Sequence, residues 1–283
     1  MSPVGFVPEA VLFDMDGLML DSERAIIDCW REAAVELQVV VDDDLWFRMI
    51  GMHEKAYVPL MLRTMSESQV RNLREACYTR YHQRIEDGIP LHAHVRAVLG
   101  DLQARAVPRA VVTSTQRLRA DRKLATSGIA DFFEIVVTGS DVNEPKPAPE
   151  GYLKAAAALG VDPARCVVFE DSAFGVRAAL AAGMTPIQVP DLIDPDAETR
   201  ALGHRSILAM PSRRSYDLVN HLLKKREFYR PLAPLVPLEL ASKWFDWQGE
   251  SKYMLYAASR SRSVTESAMI ACVWVPREVV TPP

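Results

Sequence analysis

The first apolar segment of the chain is short and ends in acidic residues. Ala10–Phe13 is an apolar run of the length expected for a buried strand. Asp14 and Asp16 follow it, and Gly17 follows them. Side chains two residues apart on an extended backbone point the same way, so these carboxylates repel each other unless a cation lies between them. The stretch predicts either a phosphorus-directed, metal-binding site or a simple acidic turn, because short motifs also arise by chance.

After Gly17 the apolar residues recur at helical spacing. Ser22 predicts a helix cap, and a Ser66–Gln69 pair has the pattern of a capping box before a long helix. Residues 18–90 are therefore predicted to form an all-helical cap inserted after the first strand. The predicted helices cover residues 22–37, 42–50, 54–65 and, after Ser66, a face made of Val70, Leu73, Cys77, Tyr81 and Ile85.

From Val95 onward, helical and strand patterns alternate. Such alternation predicts an α/β fold, a Rossmann-like parallel sheet covered on both faces, in which ligands bind beyond the carboxyl ends of the strands. The predicted core comprises residues 1–17 and 91–224, and residues 225–283 form a C-terminal appendage without an assigned role. Predicted strands are 109–112, 133–137, 166–169, 185–189 and 206–209, and predicted helices are 95–106, 117–127, 149–159 and 173–182.

The composition is that of an ordinary globular protein. Of 283 residues, 49% are hydrophobic and 25% are charged, and the length predicts about two domains. A net charge of -4 without a basic block argues against nucleic-acid binding. No signal-peptide pattern or membrane-spanning segment is found, so we expect a cytoplasmic monomer with no membrane partner. The widely spaced cysteines Cys29, Cys77, Cys166 and Cys272 are expected to be reduced thiols.

Four motifs resemble, in order and spacing, those of the haloacid dehalogenase-like hydrolases. They are Asp14-Met15-Asp16-Gly17, Thr113, Lys146 followed by Pro147, and Glu170-Asp171-Ser172. The resemblance covers about residues 8 to 224, and the chain is similar to the branch that contains beta-phosphoglucomutase and small sugar-phosphate phosphatases. It implies a Mg²⁺-dependent phosphatase that hydrolyses a small phosphate monoester, a sugar or polyol phosphate, through an aspartyl-phosphate intermediate.

The family mechanism gives each matching residue a role. Asp14 would be the nucleophile, and Asp16 the general acid and then the general base, with its backbone carbonyl on the metal. Thr113 would hydrogen-bond the phosphoryl oxygens, and Lys146 would neutralise charge on the phosphate and on Asp14. Asp14, Asp16 and Asp171 would hold Mg²⁺, with Glu170 as a direct or indirect partner, and the expected substrate contacts are Ser114, Thr115, Gln116, Gly51 and Glu54.

The sequence departs from the family pattern at Pro145, where glycine is usual, and at Glu150, where aspartate is usual. Neither change removes a reacting group. A dehalogenase would lack the second aspartate, so Asp16 favours phosphate chemistry. His92-Ala93-His94, at the junction of cap and core, is a weak candidate for metal binding.

The cap distinguishes a phosphatase from a mutase. A beta-phosphoglucomutase holds a second phosphate with a lysine and an arginine of its cap, and the corresponding positions here are Ile50 and Glu54. The histidine of its first cap helix is replaced by Ile26. Hydrolysis is therefore favoured, although Arg48 and Lys55 lie nearby in the sequence. A catalytically idle binding or regulatory protein is a further alternative, against which the intact motifs argue.

Overall fold

A parallel sheet of six strands organises the first part of the protein. In the computed structural model its strands are β1 (Ala10–Phe13), β2 (Arg109–Val112), β3 (Ile135–Val137), β4 (Cys166–Glu170), β5 (Thr185–Gln188) and β6 (Arg205–Ser206). Their spatial order is β3-β2-β1-β4-β5-β6. Val11 of the central strand β1 is in register with Arg109 on one side and Val167 on the other. The structure confirms the predicted α/β, Rossmann-like fold class.

The structure describes residues 6–52, 54–206, 239–247, 250–258 and 272–275. The chain divides into two compact units, Met1–Phe228 and Tyr229–Pro283. Within the described ranges, no helix has both the length and the apolar character needed to cross a bilayer.

The first four helices after β1 build their own apolar cluster. They are α1 (Ser22–Glu36), α2 (Asp44–Met49), α3 (Glu54–Met61) and α4 (Glu67–Asp87). Trp30 of α1 stacks on Trp46 of α2 with ring centroids 5.5 Å apart. The predicted capping box of Ser66 and Gln69 is present at the start of α4. Ser22 does not cap α1 as predicted, because Asp21 is the N-cap residue and the Ser22 hydroxyl accepts a hydrogen bond from the Gly17 N–H.

The sheet is buried on both faces because alternate residues of its strands meet different helices. Ala10 and Leu12 face one cluster, and Val11 and Phe13 face the other. The remaining helices are α5 (Val95–Ala104), α6 (Arg117–Thr126), α7 (Glu150–Leu159), α8 (Ala173–Ala181) and the short α9 (Ala197–Arg200). Helices α5 and α6 pack on the Val11 face, and α7 and α8 pack on the Ala10 face.

The two segments that connect the helical region to the sheet are hydrogen-bonded to each other. The Asp21 N–H donates to the Pro90 carbonyl at 2.9 Å, and the His92 N–H donates to the Met19 carbonyl at 2.9 Å. Leu18, Met19 and Leu20 pack with the sheet, together with Ile85 and Ile89 from the end of α4 and the turn after it. The last turns of α4 thus contribute to the sheet's cluster as well as to the helical one.

The second unit contains an antiparallel sheet of three strands, in the order β7-β8-β9. Its strands are β7 (Glu239–Trp247), β8 (Glu250–Ala258) and β9 (Cys272–Val275). The last strand predicted for the first unit, 206–209, is observed only as Arg205–Ser206, and residues 207–209 lie outside the described part of the chain.

Candidate active site

The polar residues singled out in the sequence gather at the carboxyl ends of three adjacent strands. Asp14 directly follows β1, Thr113 directly follows β2, and Glu170 is the last residue of β4. The Asp14 N–H continues the ladder by donating to the Phe169 carbonyl at 3.0 Å. Because β1 lies between β2 and β4, the ends of these strands form one edge at which ligands bind in such sheets.

Lys146 links all three of these strand ends through its buried ammonium group. Its Nζ donates to Asp14 Oδ1 and to Glu170 Oε1, each at 2.5 Å, and to the Val112 carbonyl at 2.9 Å. The lysine side chain is 10% exposed and that of Glu170 is fully buried. Tyr152 donates its hydroxyl to the same Glu170 oxygen at 2.7 Å. Burial lowers the pKa of Lys146, but the two carboxylates outweigh it and hold the pKa well above its usual range.

Several neighbouring groups act on the pKa of Asp14 in opposite directions. Burial is the main cause that raises the pKa of Asp14, to about 7, while Lys146 opposes the rise and Glu170 adds to it. Because Asp14 is buried, its carboxylate is less strongly hydrated than a surface carboxylate, and this loss of hydration destabilises the charged form. A desolvated carboxylate next to a lysine is a suitable nucleophile toward an electrophile bound at this edge.

Asp16 has different partners. Lys123 Nζ donates to Asp16 Oδ1 at 2.6 Å, and Thr115 Oγ1 donates to Asp16 Oδ2 at 2.6 Å. Burial pushes the pKa of Asp16 upward, but Lys123 and the hydrogen bonds outweigh it and lower that pKa below its usual range. Thr113 is buried, and its hydroxyl accepts a hydrogen bond from the Thr115 N–H at 3.1 Å, which leaves the hydroxyl proton available to a ligand.

Two further carboxylates, those of Asp171 and Glu23, lie beside Asp14 and Asp16. Burial, together with Asp14 and Glu170, raises the pKa of Asp171 well above its usual range. Burial and the charges of Asp16 and Asp191 raise the pKa of Glu23 to about 7. The Glu23 Oε2 atom is buried and has no hydrogen-bond partner among the described residues.

Two glycines allow the acidic side chains to come this close. Gly17 has a φ of +78°, and a Cβ on it would overlap Asp171 Oδ2. A Cβ on Gly175, in the first turn of α8, would overlap the carboxylate of Glu170. Any side chain at either position would displace a carboxylate of the site, so the glycines are required by packing.

The charges of this edge fit a bound divalent cation. Asp14, Asp16, Glu23, Glu170 and Asp171 lie near only two ammonium groups of the described residues, those of Lys123 and Lys146. Burial is the largest cause of the raised pKa values of Asp14, Glu23 and Asp171, and the neighbouring negative charges add to it. Oxygen ligands of this kind are the ones that Mg²⁺ prefers, and the site therefore has a donor set suited to that ion.

The other predicted site residues are distributed less tightly. Ser114 and Gln116 are exposed, and the Gln116 side-chain carbonyl accepts from the Ser140 hydroxyl at 2.8 Å. Gly51 lies in the exposed turn after α2 with a φ of +69°. Glu54 begins α3 and forms an ion pair with Arg74 of α4. Their contacts with a substrate remain predictions.

His92 and His94, the two histidines at the junction of helices and sheet, lie in different surroundings. His92 approaches Asp21 and Asp191, with one potential ligand atom of each within 4.8 Å of the others. Arg24 donates to Asp21 Oδ1 at 2.9 Å and to Asp191 Oδ1 at 2.7 Å, so a cation already serves both carboxylates. His94 is exposed in a left-handed conformation and does not join the group.

Three residues of the site, Lys123, Glu23 and Tyr152, are not indicated by the sequence motifs. Lys123 carries a signal, because it lies with Ala120 and Leu124 on the buried face of α6, where a charged residue requires a partner. The sequence around Glu23 indicates only a residue suited to the start of a helix. Tyr152 belongs to an apolar helical face, and nothing in that pattern indicates which hydroxyl meets a carboxylate.

Comparison with known families agrees with this arrangement. The family described as haloacid dehalogenase-like hydrolase matches residues 11–189. The chain belongs to this family. The Phosphorylated carbohydrates phosphatase of Thermotoga maritima is 30% identical over 180 residues, which cover 63% of this chain and 83% of the relative. The Fructose-1-phosphate phosphatase of Escherichia coli strain K12 is 32% identical over 184 residues, which cover 63% of this chain and 95% of the relative.

Solved structures of the family share the fold. A HAD family hydrolase of Deinococcus radiodurans R1, crystallised with bound phosphate and sodium, is 28% identical, with a TM-score of 0.65 over 76% of this chain and 97% of that chain. A second family, described as carbamoyltransferase C-terminus, matches residues 196–275. This match begins in the last elements of the first unit and includes all three strands of the second. It covers less than a third of the chain.

Proposed function

We propose that this haloacid dehalogenase-like hydrolase is a Mg²⁺-dependent phosphatase that hydrolyses a small phosphate monoester, a sugar or polyol phosphate. The observation that carries the proposal is the buried Asp14 carboxylate directly after the central strand, hydrogen-bonded to Lys146 at 2.5 Å, with a second carboxylate, Asp16, two residues later. The names of the curated relatives, a Phosphorylated carbohydrates phosphatase and a Fructose-1-phosphate phosphatase, support the substrate class.

The proposed reaction has two steps. In the first, Asp14 attacks phosphorus, the ester P–O bond breaks, and Asp16 gives its proton to the leaving alcohol oxygen. In the second, Asp16 removes a proton from water, the oxygen of that water attacks phosphorus, and the acyl-phosphate bond breaks to release inorganic phosphate and free Asp14. The two steps together restore Asp14 and Asp16 and consume one water molecule, so no further reactant is needed.

The remaining side chains serve to bind charge. Lys146 faces the oxygens of the phosphoryl group, and Thr113 and the Ser114 amide donate hydrogen bonds to them. Asp14, the Asp16 carbonyl and Asp171 would hold Mg²⁺, with Glu170 behind them. The bound ion would offset the charge of the carboxylates and of the phosphate dianion, which would otherwise repel each other.

We also propose that residues 18–90 act as a cap on a core made of residues 1–17 and 91–224. The cap would close over the leaving group, as is common where water must be excluded, with contacts from Gly51, Glu54, Thr115 and Gln116. The ion pair between Glu54 and Arg74 favours hydrolysis over mutase activity, because the arginine beside Glu54 is already neutralised. A second phosphate would have to break that pair to bind.

The test is turnover of a panel of phosphorylated sugars, polyols, phosphoglycolate and nucleotides, with Mg²⁺ and after exhaustive chelation. We expect release of phosphate only with the ion, and none from an Asp14→Asn variant. Full activity after chelation contradicts the metal requirement, and an Asp14→Asn variant with near-normal rates contradicts the nucleophile. A folded protein inactive on the entire panel supports the idle binding member instead.

The mutase alternative has a separate test. The protein is incubated with beta-glucose 1-phosphate and a catalytic amount of glucose 1,6-bisphosphate. We expect free phosphate to form faster than glucose 6-phosphate. The opposite ratio identifies a mutase, and the Glu54→Arg, Ile50→Lys variant measures whether two added cap cations raise affinity for bisphosphates.

A further inference from the structure

Lys123 is a buried lysine on a helix face that is otherwise apolar. Its side chain is 4% exposed, between Ala120 and Leu124 in the buried stripe of α6. Removing an ammonium group from water is costly unless it is hydrogen-bonded and paired with an opposite charge. The partner is Asp16, whose Oδ1 lies 2.6 Å from Lys123 Nζ. The position of this lysine is therefore explained by Asp16 and not by the packing of α6.

The contacts fix the orientation of the Asp16 carboxylate. One oxygen accepts from Lys123 and the other from the Thr115 hydroxyl at 2.6 Å. Two donors on opposite oxygens leave the carboxylate plane little freedom to rotate. A general acid has to present its proton to the leaving oxygen within hydrogen-bond reach, so this orientation decides how well it works.

Lys123 also contacts the helical region. Its ammonium lies 5.2 Å from the centroid of the Tyr81 ring, a distance at which a cation and an aromatic face attract each other. Tyr81 belongs to α4, whereas Lys123 belongs to α6. A shift of α4 relative to α6 would change the surroundings of the same ammonium that holds Asp16.

We propose that Lys123 is a positioning residue for the acid–base carboxylate of Asp16, and that its contact with Tyr81 makes this positioning depend on the placement of α4. The inference rests on the proposed phosphatase function. Lys123 takes part in no bond that forms or breaks. It orients the group that gives a proton to the leaving oxygen when the phosphoryl group moves to Asp14.

The consequence is a dependence on the leaving group. An alkoxide needs a proton as its bond to phosphorus breaks, whereas a nitrophenolate leaves without one. The measurement is kcat/KM for glycerol phosphate and for para-nitrophenyl phosphate, because kcat/KM reports the step in which the ester bond breaks. For Lys123→Met we expect a loss of about 10-fold to 100-fold with glycerol phosphate, since small misplacements of catalytic groups have effects of this size. The loss with para-nitrophenyl phosphate should be several times smaller.

Three variants separate positioning from general damage. Lys123→Arg keeps a cation and should recover most of the rate with glycerol phosphate. Arg122→Met is the matched control, since it removes a neighbouring cation of α6 that pairs with Glu86 of α4, and it should leave the ratio of the two substrates unchanged. Thr115→Val removes the other donor to Asp16 without burying a charge, and it should shift the ratio in the same direction even where Lys123→Met folds poorly.

The outcomes are distinguishable. Equal losses on both substrates in Lys123→Met and Thr115→Val overturn the positioning role while the phosphatase proposal stands. A folded wild-type protein that hydrolyses neither of these esters nor any other ester of the panel refutes the phosphatase proposal and the inference with it. For Tyr81→Leu we expect a change in ratio in the same direction as Lys123→Met but smaller, and an unchanged ratio removes the link to α4.

Discussion

Lys146 is the residue whose removal tests most of the site at once. Its ammonium is the shared partner of Asp14 and Glu170, and it also contacts the Val112 carbonyl and the Tyr152 ring. Lys146→Met keeps a side chain of similar length and removes the charge. Both carboxylates then lose their cation in a place from which water is largely excluded.

The magnitude follows from burial. Removing one partner of a buried ion pair costs about 3–5 kcal/mol, because the other charge remains buried without compensation. Protonation limits that cost. The pKa of Asp14 is already raised to about 7 with the lysine present, and it rises further without it. The variant therefore loses less free energy of unfolding at acidic pH, where Asp14 is protonated, than at alkaline pH, where Asp14 is forced to ionise.

The assay is urea unfolding of metal-free protein at about pH 5.5 and about pH 8, followed by turnover with Mg²⁺. We expect the larger loss of free energy of unfolding at the higher pH, and a fall in kcat/KM of at least about 10²-fold, the usual effect of removing a charge-stabilising group. The matched control is Lys154→Met, an exposed lysine of α7 paired with Glu150, which should change neither quantity measurably. Equal losses of stability and activity in Lys146→Met and Lys154→Met would refute the reasoning. The same loss of free energy of unfolding in Lys146→Met at both pH values would refute it as well.

Three further predictions concern the same edge of the sheet. Tyr152→Phe should lower the free energy of unfolding by about 1.5–3 kcal/mol, measured by urea unfolding, because the lost hydroxyl donates to the charged Glu170. Gly175→Ala should displace Glu170 and reduce both stability and turnover, and normal values of both would contradict the expected overlap between the new Cβ and that carboxylate. The rise in melting temperature produced by Mg²⁺ should be larger at about pH 8 than at about pH 5. The pKa values of Asp14 and Glu23 are raised to about 7, so proton binding stabilises the folded protein at low pH, and this stabilisation is lost as the pH rises through 7. Binding of Mg²⁺ to the ionised carboxylates offsets that loss of stability.

The sequence predicted the sheet well because its strands are buried on both faces. A run such as Ala10–Phe13 has no polar position at which a solvent-exposed face could lie, and parallel strands buried between helices have this pattern. Ends of elements were predicted less well. The helix expected over residues 54–65 ends at Met61, and the following turn is held by the Thr64 and Met65 N–H groups, which donate to the Met61 carbonyl. No residue type in that stretch distinguishes such a turn from a continued helix.

The motif residues of the site lie where the sequence predicts them, because the topology alone brings strand ends together. Asp14, Thr113 and Glu170 need only the strand order to become neighbours. Lys123 and Glu23 could not be found in that way, because each reaches the site from the side of a helix. Their contacts depend on the rotation of that helix about its axis, which the order of elements does not determine.

The contacts of Lys123 depend on how the helical region is placed against the sheet. Under the proposed closure of residues 18–90, the connecting segments around Asp21 and Pro90 would move together, because they are hydrogen-bonded to each other. The ion pair between Arg122 and Glu86 across α6 and α4 is about half exposed, so water can replace it when the helices shift. The ammonium of Lys123 has no such substitute, because it is buried between Asp16 and Tyr81. Any movement of α4 would therefore have to be accommodated at the ammonium of Lys123, which also holds the proposed acid–base group.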